Sequence, residues 1–275
     1  MRTAAVTSRT NPHLKQLRGA FAGNSRLSGG LIAVEGENLL FEAVRSGVRI
    51  ERVFVADNRS APDWLPGGID IVEVDRDVLR SAVDTLSPQG IAALVHPPEW
   101  RLQDVCRPDS APLVLITVGL QDPGNLGTLV RSAEAFGATC ILTTSGTVSP
   151  WNSKAVRASA GSVFRVPVVR ANADELLDAH RKGLRILAAV AEDSREGAPP
   201  TGATDADLTG ACALMIGNEG CGLTDEWLGL ATGRITIPMP GPVESLNAAI
   251  AGSLLLYEAA RQRSAQHSSV RRENR

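Results

Sequence analysis

The sequence contains no uninterrupted apolar run of about 18 residues, so nothing in it reads as a membrane span. Residues 1–30 lack the apolar stretch of a secretory signal. Cysteine is scarce. Cys106, Cys140, Cys212 and Cys221 are scattered and make no CxxC pair, which points to a reducing, cytoplasmic setting without structural zinc. His13, His96, His180 and His267 are too dispersed to read as a metal site. Lysine is nearly missing, with Lys15, Lys154 and Lys182 among 28 basic residues, a bias read here as genomic rather than functional. A positive surplus is missing too. The formal net charge is −2, which at face value argues against a nucleic-acid partner.

What is present is a chain of 275 residues, 43% hydrophobic, long enough for one large domain or two smaller ones with a substantial core. Its charge is partitioned. Residues 1–30 carry Arg2, Arg9, Lys15, Arg18 and Arg26 and no acid. Residues 261–275 carry Arg261, Arg263, Arg271, Arg272 and Arg275 against Glu273. The ends hold +5 and +4, leaving −11 for residues 31–260. Such asymmetry points either to an anionic partner or to solvated tails. The acid-free start also leaves a mitochondrial transit peptide open.

Two blocks are separated by the proline-rich stretch at residues 98–111. In the first block, residues 1–97, Asn11 and Pro12 have the order of a helix cap and first position. Leu31–Val34, Val53–Val55, Ile69–Val74 and Ile91–Val95 read as strands. Leu39, Leu40, Ala43 and Val44 recur at helical spacing, and Val78–Val83 reads as a helix. In the second block, residues 112–264, the candidate strands are Leu113–Val118, Cys140–Thr143, Val163–Val169, Arg185–Val190, Cys212–Ile216 and Arg234–Ile237. Helical segments fall between them, and a long helix runs from about Leu246 to Arg263. The alternation implies an α/β fold with a mostly parallel sheet, which places ligands beyond the carboxyl ends of its strands. Residues 265–275 read as a disordered basic tail.

Three clusters follow strands of the second block. The first, Gly119 to Thr128, opens a helix that buries Leu126, Leu129, Val130, Ala133 and Phe136. Its first turn suits an anion. Arg131 reads as lying about one turn in, where a cation opposes the helix dipole, so an anionic partner is expected for it. The second, Gly217-Asn218-Glu219-Gly220-Cys221-Gly222-Leu223, has GxxGxG spacing rather than the dinucleotide fingerprint GxGxxG. Its glycines allow close backbone approach. The third, Ile237 to Ala249, has three prolines stiffening a loop and small residues opening the long helix, with Ser245 or Glu244 as candidate caps. Taken singly, each cluster is also explained as a capped helix entry or a tight turn.

In this order the three clusters resemble the three motifs of the SpoU/TrmH family of RNA ribose 2′-O-methyltransferases, in the SPOUT superfamily. Asn125-Leu126-Gly127-Thr128 with Arg131 matches the first, Ile216-Gly217-Asn218-Glu219-Gly220 with Gly222-Leu223 the second, and Ile237-Pro238-Met239 with Glu244 to Ala249 the third. Lys154 to Ser162 is similar to the stretch between motifs one and two. Ser8–Leu17, Val34-Glu35-Gly36-Glu37 and Ser87 to Ile91 are similar to the family's N-terminal RNA-binding extension, a small ribosomal-protein-like α/β domain, which argues against a transit peptide.

The resemblance implies a C-terminal domain tied in a deep trefoil knot, although connection rules alone would reject one. It implies S-adenosylmethionine as cofactor, RNA as substrate (most of all 23S ribosomal RNA), homodimerisation through the C-terminal domain, and no metal, because the methyl group arrives activated. The matching residues assign Gly217, Asn218, Gly220, Ile237, Met239, Ser245, Leu246 and Ala248 to the cofactor, and Arg131, Asn125, Glu219, Ser245 and Asn247 to catalysis. Arg9, Lys15, Arg18 and Arg157 are assigned to RNA. A guanidinium, with a pKa above about 12, is a poor base. Arg131 is therefore read as aligning phosphate and nascent alkoxide. Three rivals remain at this level: a transfer-RNA methyltransferase, a non-catalytic RNA-binding relative, and a nucleotide-dependent oxidoreductase.

Overall fold

In the computed structural model, which describes residues 5–23, 25–105, 111–191 and 199–273, the chain forms two compact units. The first holds residues 1–99 and 149–165, the second residues 100–148 and 166–275. Arg2, Cys106, Arg275 and residues 106–110 of the expected linker lie outside the described residues, as do the side chains of His267, Arg271 and Arg272.

The first unit begins as its cap residues dictate. The Asn11 side chain accepts from the His13 N–H at 2.9 Å, and Pro12 occupies the first position of helix α1 (Pro12–Phe21). One face of α1 then buries Leu14, Leu17 and Ala20. The short helix α2 (Ser25–Ser28), strand β1 (Ile32–Glu35), helix α3 (Glu37–Arg45), strands β2 (Ile50–Ala56) and β3 (Asp70–Val74), helix α4 (Arg76–Arg80) and strand β4 (Ile91–Val95) follow. They form a sheet of order β1-β4-β2-β3, with β4 antiparallel to both neighbours and β2 parallel to β3. Strand β4 is buried throughout, as an all-apolar central strand should be. Leu14, Leu17, Phe54, Val74, Leu79 and Leu94 share one core.

After helix α5 (Leu102–Val105), the second unit alternates strand β5 (Leu113–Thr117), helix α6 (Pro123–Ala135) and strand β6 (Cys140–Thr143). The chain then contributes helix α7 (Ser153–Ala158) and a 3-10 turn (Ser162–Phe164) to the first unit, where α7 packs against β1. Strand β7 (Val168–Arg170), helix α8 (Ala173–Arg181), strands β8 (Arg185–Ala189), β9 (Thr201–Gly202) and β10 (Cys212–Ile216), helix α9 (Asp225–Leu230), strand β11 (Gly233–Thr236) and helix α10 (Ala248–Glu273) complete the second unit. Its sheet has the order β7-β6-β5-β10-β8-β11-β9, and every pairing is parallel. Strands β5 and β10 are central and fully buried.

Three expectations are corrected. The strand expected over Val163–Val169 is a 3-10 turn followed by β7, because Gly161 adopts φ +88° and Pro167 breaks the run. The tail expected to be disordered continues α10 to Glu273, since nothing from Ser264 to Glu273 is glycine or proline. Residues 149–165, placed by the sequence in the second block, belong to the first unit. Two of the five C-terminal arginines have partners within the chain. Arg261 pairs with Glu258 at 2.7 Å, and Arg263 donates to the carbonyls of Ala111, Leu208 and Gly210.

Candidate active site

Because the sheet of the second unit is parallel, the loops after β5, β10 and β11 leave from the same edge. These loops are the three sequence clusters. A cavity of about 590 Å³ lies there, within the size range of small-molecule sites. Gly217, Asn218, Gly220, Ile237, Met239, Ser245, Leu246 and Ala248 all line it, and so do Glu219 and Asn247.

The β10 loop is held by its own backbone and by Asn218. The N–H of Asn218 donates to Gly222 O and that of Gly222 to Asn218 O, both at 3.0 Å. The Asn218 side-chain oxygen accepts from the N–H groups of Gly220 (2.8 Å) and Cys221 (3.2 Å), and its amide donates to Gly119 O at 2.7 Å. Gly222 takes φ +68° to close the turn. A Cβ on Gly217 would stand 2.3 Å from the Gly222 carbonyl carbon, so only glycine fits there.

One polar chain joins the three loops. The Glu219 carboxylate accepts from the N–H of Gln121 (3.2 Å), the N–H of Asp122 (3.1 Å) and the Asn125 side-chain amide (3.0 Å). The Asn125 oxygen accepts in turn from the Asn247 amide at 3.0 Å. The Asn247 oxygen accepts from the N–H groups of Ala249 (2.9 Å) and Ile250 (3.2 Å). Burial by itself would raise the Glu219 carboxyl. The bonds from Asn125, Asp122 and Gln121 outweigh it and hold the group below the usual carboxylate range, so it is an anion at neutral pH.

The sequence reading misplaced two features. The cap of α10 is Asn247, not Ser245 or Glu244, both of which are exposed on the loop. Helix α6 starts at Pro123, with Asp122 accepting from the Asn125 N–H at 2.9 Å. Arg131 is therefore eight residues along the helix rather than one turn in, and the argument from the dipole lapses. Its side chain is exposed, lies outside the cavity lining and has no acidic partner among the described residues. Leu126, Leu129, Val130 and Ala133 are buried as expected. Phe136 ends the helix half-buried, edge-on to Tyr257. The backbone N–H groups of Gln121 and Asp122 were missed as partners of Glu219, although Asp122-Pro123 carries the signature of a helix start.

Arg9, Lys15, Arg18 and Arg157 all lie in the first unit. Arg9 and Lys15 are exposed, and Arg18 folds back to donate to the Arg9 carbonyl. Arg157 sits on α7 with its Nη1 buried and without a hydrogen-bond partner. Among the described residues no group of histidine, cysteine or carboxylate side chains is arranged to hold a metal, and no helix is long and apolar enough to cross a membrane.

The profile of the SpoU rRNA Methylase family matches residues 112–257, and that of the MRM3-like substrate binding domain matches residues 11–93. The chain is 31% identical over 253 residues to the 23S rRNA (guanosine(2553)-2′-O)-methyltransferase RlmP of Bacillus subtilis, covering 92% of this chain and 97% of that protein. It is similar to the crystal structure of an RNA 2′-O ribose methyltransferase, with a TM-score of 0.79 and 32% identity over 95% of this chain and 100% of the other. It is likewise similar to an AdoMet-bound rRNA methyltransferase from Sinorhizobium meliloti, with a TM-score of 0.80 and 29% identity over 94% of this chain and 97% of the other.

Proposed function

This chain belongs to the SpoU rRNA methylase family, and on that premise we propose that it methylates a ribose 2′-hydroxyl of RNA with S-adenosylmethionine, its substrate being 23S ribosomal RNA. The observation that carries the reading is the hydrogen-bonded chain Asn247–Asn125–Glu219, which ties all three motif loops around one cavity. The walls fit the cofactor. Gly217, lacking a Cβ, lets the β10 loop close on the Gly222 backbone at the cavity wall, Leu228, Ile235 and Leu255 give the cavity apolar walls, and the buried Thr236 hydroxyl there has no partner among the described residues. When bound, S-adenosylmethionine supplies a methyl group already activated on a sulfonium.

The chain's own residues position the reactants. Gly217, Asn218, Gly220, Ile237, Met239, Leu246 and Ala248 hold the cofactor, and Ser245 and Asn247 orient the ribose. Glu219 and Asn125 keep the loops rigid, so little ordering is left to occur on binding. Arg131, exposed and without an acidic partner among the described residues, meets an RNA phosphate and steadies charge developing on the 2′-oxygen. Arg9, Lys15 and Arg18 of the first unit, a ribosomal-protein-like RNA-binding domain in this reading, grip the substrate backbone.

The same reading includes a trefoil knot in the second unit. Its support is the return of α10 onto α6, where Ser132 and Ser253 bond at 2.7 Å and Gly252 packs tightly against Leu129. It also includes a cytoplasmic homodimer. Ile250, Leu254 and Tyr257 are 52%, 44% and 53% exposed at i, i+4 and i+7 on α10, an apolar stripe that a second copy would cover. Sedimentation should show the wild-type chain as a dimer and Tyr257→Glu as a monomer. The activity itself is tested by mapping 2′-O-methylation across ribosomal RNA with and without the gene. One 23S site should lose its methyl group, and an unchanged map would refute the reading.

A further inference from the structure

A second cavity, of about 470 Å³, lies wholly within the first unit. Its walls come from the end of β1, the turn into α3, α3 itself through Asn38, Leu39 and Glu42, the loop before β4, and α7 with the residues after it. Two buried polar atoms of its wall residues have no hydrogen-bond partner, namely Nη1 of Arg157 and Oγ1 of Thr85. A buried donor left unpaired costs free energy, so each gains from a partner supplied through the pocket wall. Glu35, 7% exposed and with one oxygen already accepting from the Gln89 N–H, adds a carboxylate to the same wall. With Glu42 also in the wall, two carboxylates stand against the one guanidinium of Arg157, which disfavours phosphate here. A flat group with both acceptors and donors on its edge is not so disfavoured. Leu86, 98% exposed, stands at this pocket and offers an apolar surface with no packing of its own.

We infer that this pocket takes an unpaired nucleobase of the RNA, its acceptor edge bonded by Arg157 and Thr85 and its face against Leu86. A base edge has that mixture of donors and acceptors, and it becomes reachable where RNA is single-stranded. The adjoining cavity of about 710 Å³ shares Glu35, Leu86, Ser87 and Gln89 with the first. There Arg76 and Arg80 are exposed one turn apart on α4, without an ion pair among the described residues, placed for the phosphate beside the bound base. The inference deepens the reading of the protein as an RNA methyltransferase and rests on it.

The test uses the full-length chain and a fluorescein-labelled unstructured RNA 12-mer containing all four bases, alone or annealed to its complement. Binding is followed by fluorescence anisotropy for the wild type, Thr85→Val and Arg157→Met. Thr85→Val keeps the side-chain shape and removes a hydroxyl that bonds to nothing, so thermal stability should hold or rise. Single-strand affinity should nevertheless fall about tenfold in each variant, the loss of about one hydrogen bond, while duplex and S-adenosylmethionine affinities stay unchanged. Single-strand affinity equal to wild type in Thr85→Val, or an equal loss for single strand and duplex, overturns the pocket's assignment to a base. A wild-type chain that binds S-adenosylmethionine but neither RNA overturns the parent reading instead.

Discussion

The two units use their polar groups in opposite ways. In the second unit the side chains of Glu219, Asn218, Asn125 and Asn247 are bonded to one another or to the motif loops, which leaves the Thr236 hydroxyl unpaired in the cavity among the described residues. Glu219 accepts from three donors, Asn218 accepts two bonds and donates one, and Asn247 both caps a helix and holds Asn125. In the first unit, donors around the pockets are left unspent: Arg157 and Thr85 have buried atoms without partners, and Arg76 and Arg80 make no ion pair among the described residues. The contrast fits two kinds of ligand. A small molecule held in one pose gains from walls fixed in advance. A polyanion that docks through its backbone and bases gains from charges and donors that nothing else has claimed.

Substitutions can break this comparison. The largest effect is expected where the cavity meets RNA. Arg131→Ala should lower methyl transfer about 100- to 1000-fold and leave S-adenosylmethionine affinity, measured by calorimetry, within about twofold. Full activity would remove Arg131 from the mechanism. Next is the fixed network. Glu219→Gln retains one acceptor oxygen against three donors, so cofactor affinity should fall about tenfold. Because the carboxyl of Glu219 is held below its ordinary value, its contribution is present above that value and lost as pH falls through the depressed one. Cofactor affinity attributable to this network should thus be level from neutral pH down to the ordinary carboxylate range and drop only below it. A drop centred near pH 6 would contradict the assignment. The smallest effect is expected at the basic helix. Lys15→Ala should weaken RNA binding severalfold, reduce the salt slope by about one, and leave the cofactor untouched. Removing residues 1–30 is a poorer test, because Leu14 and Leu17 are fully buried in the core of the first unit.

Much of this was legible before the structure. Cys140–Thr143, Cys212–Ile216 and Ile91–Val95 are strands with the boundaries their apolar runs give, because both ends of each run meet turn residues. The Asn11-Pro12 start of α1 follows from local chemistry alone. The cavity's lining residues were found through motif resemblance, and their glycines have a physical reason at position 217. What escaped depends on long-range contact. That Asn247 reaches Asn125 across 122 positions, or that Glu219 binds the N–H groups opening α6, cannot be inferred from spacing. The place of residues 149–165 was hidden for the same reason, since α7 packs against β1, and its buried Ala155 and Val156 carry no periodic signal over six residues. Net charge misled most. A total of −2 conceals the basic first helix and the pocket arginines of the first unit.

The most direct test of the account is transfer of tritium-labelled methyl from S-adenosylmethionine to 23S ribosomal RNA, followed by alkaline hydrolysis. Methylation of a 2′-oxygen removes the nucleophile that cleaves the adjacent phosphodiester. The account predicts label recovered in an alkali-resistant dinucleotide, and at least about 100-fold less of it with Arg131→Ala. Label recovered in mononucleotides would place the methyl on a base, and would contradict it.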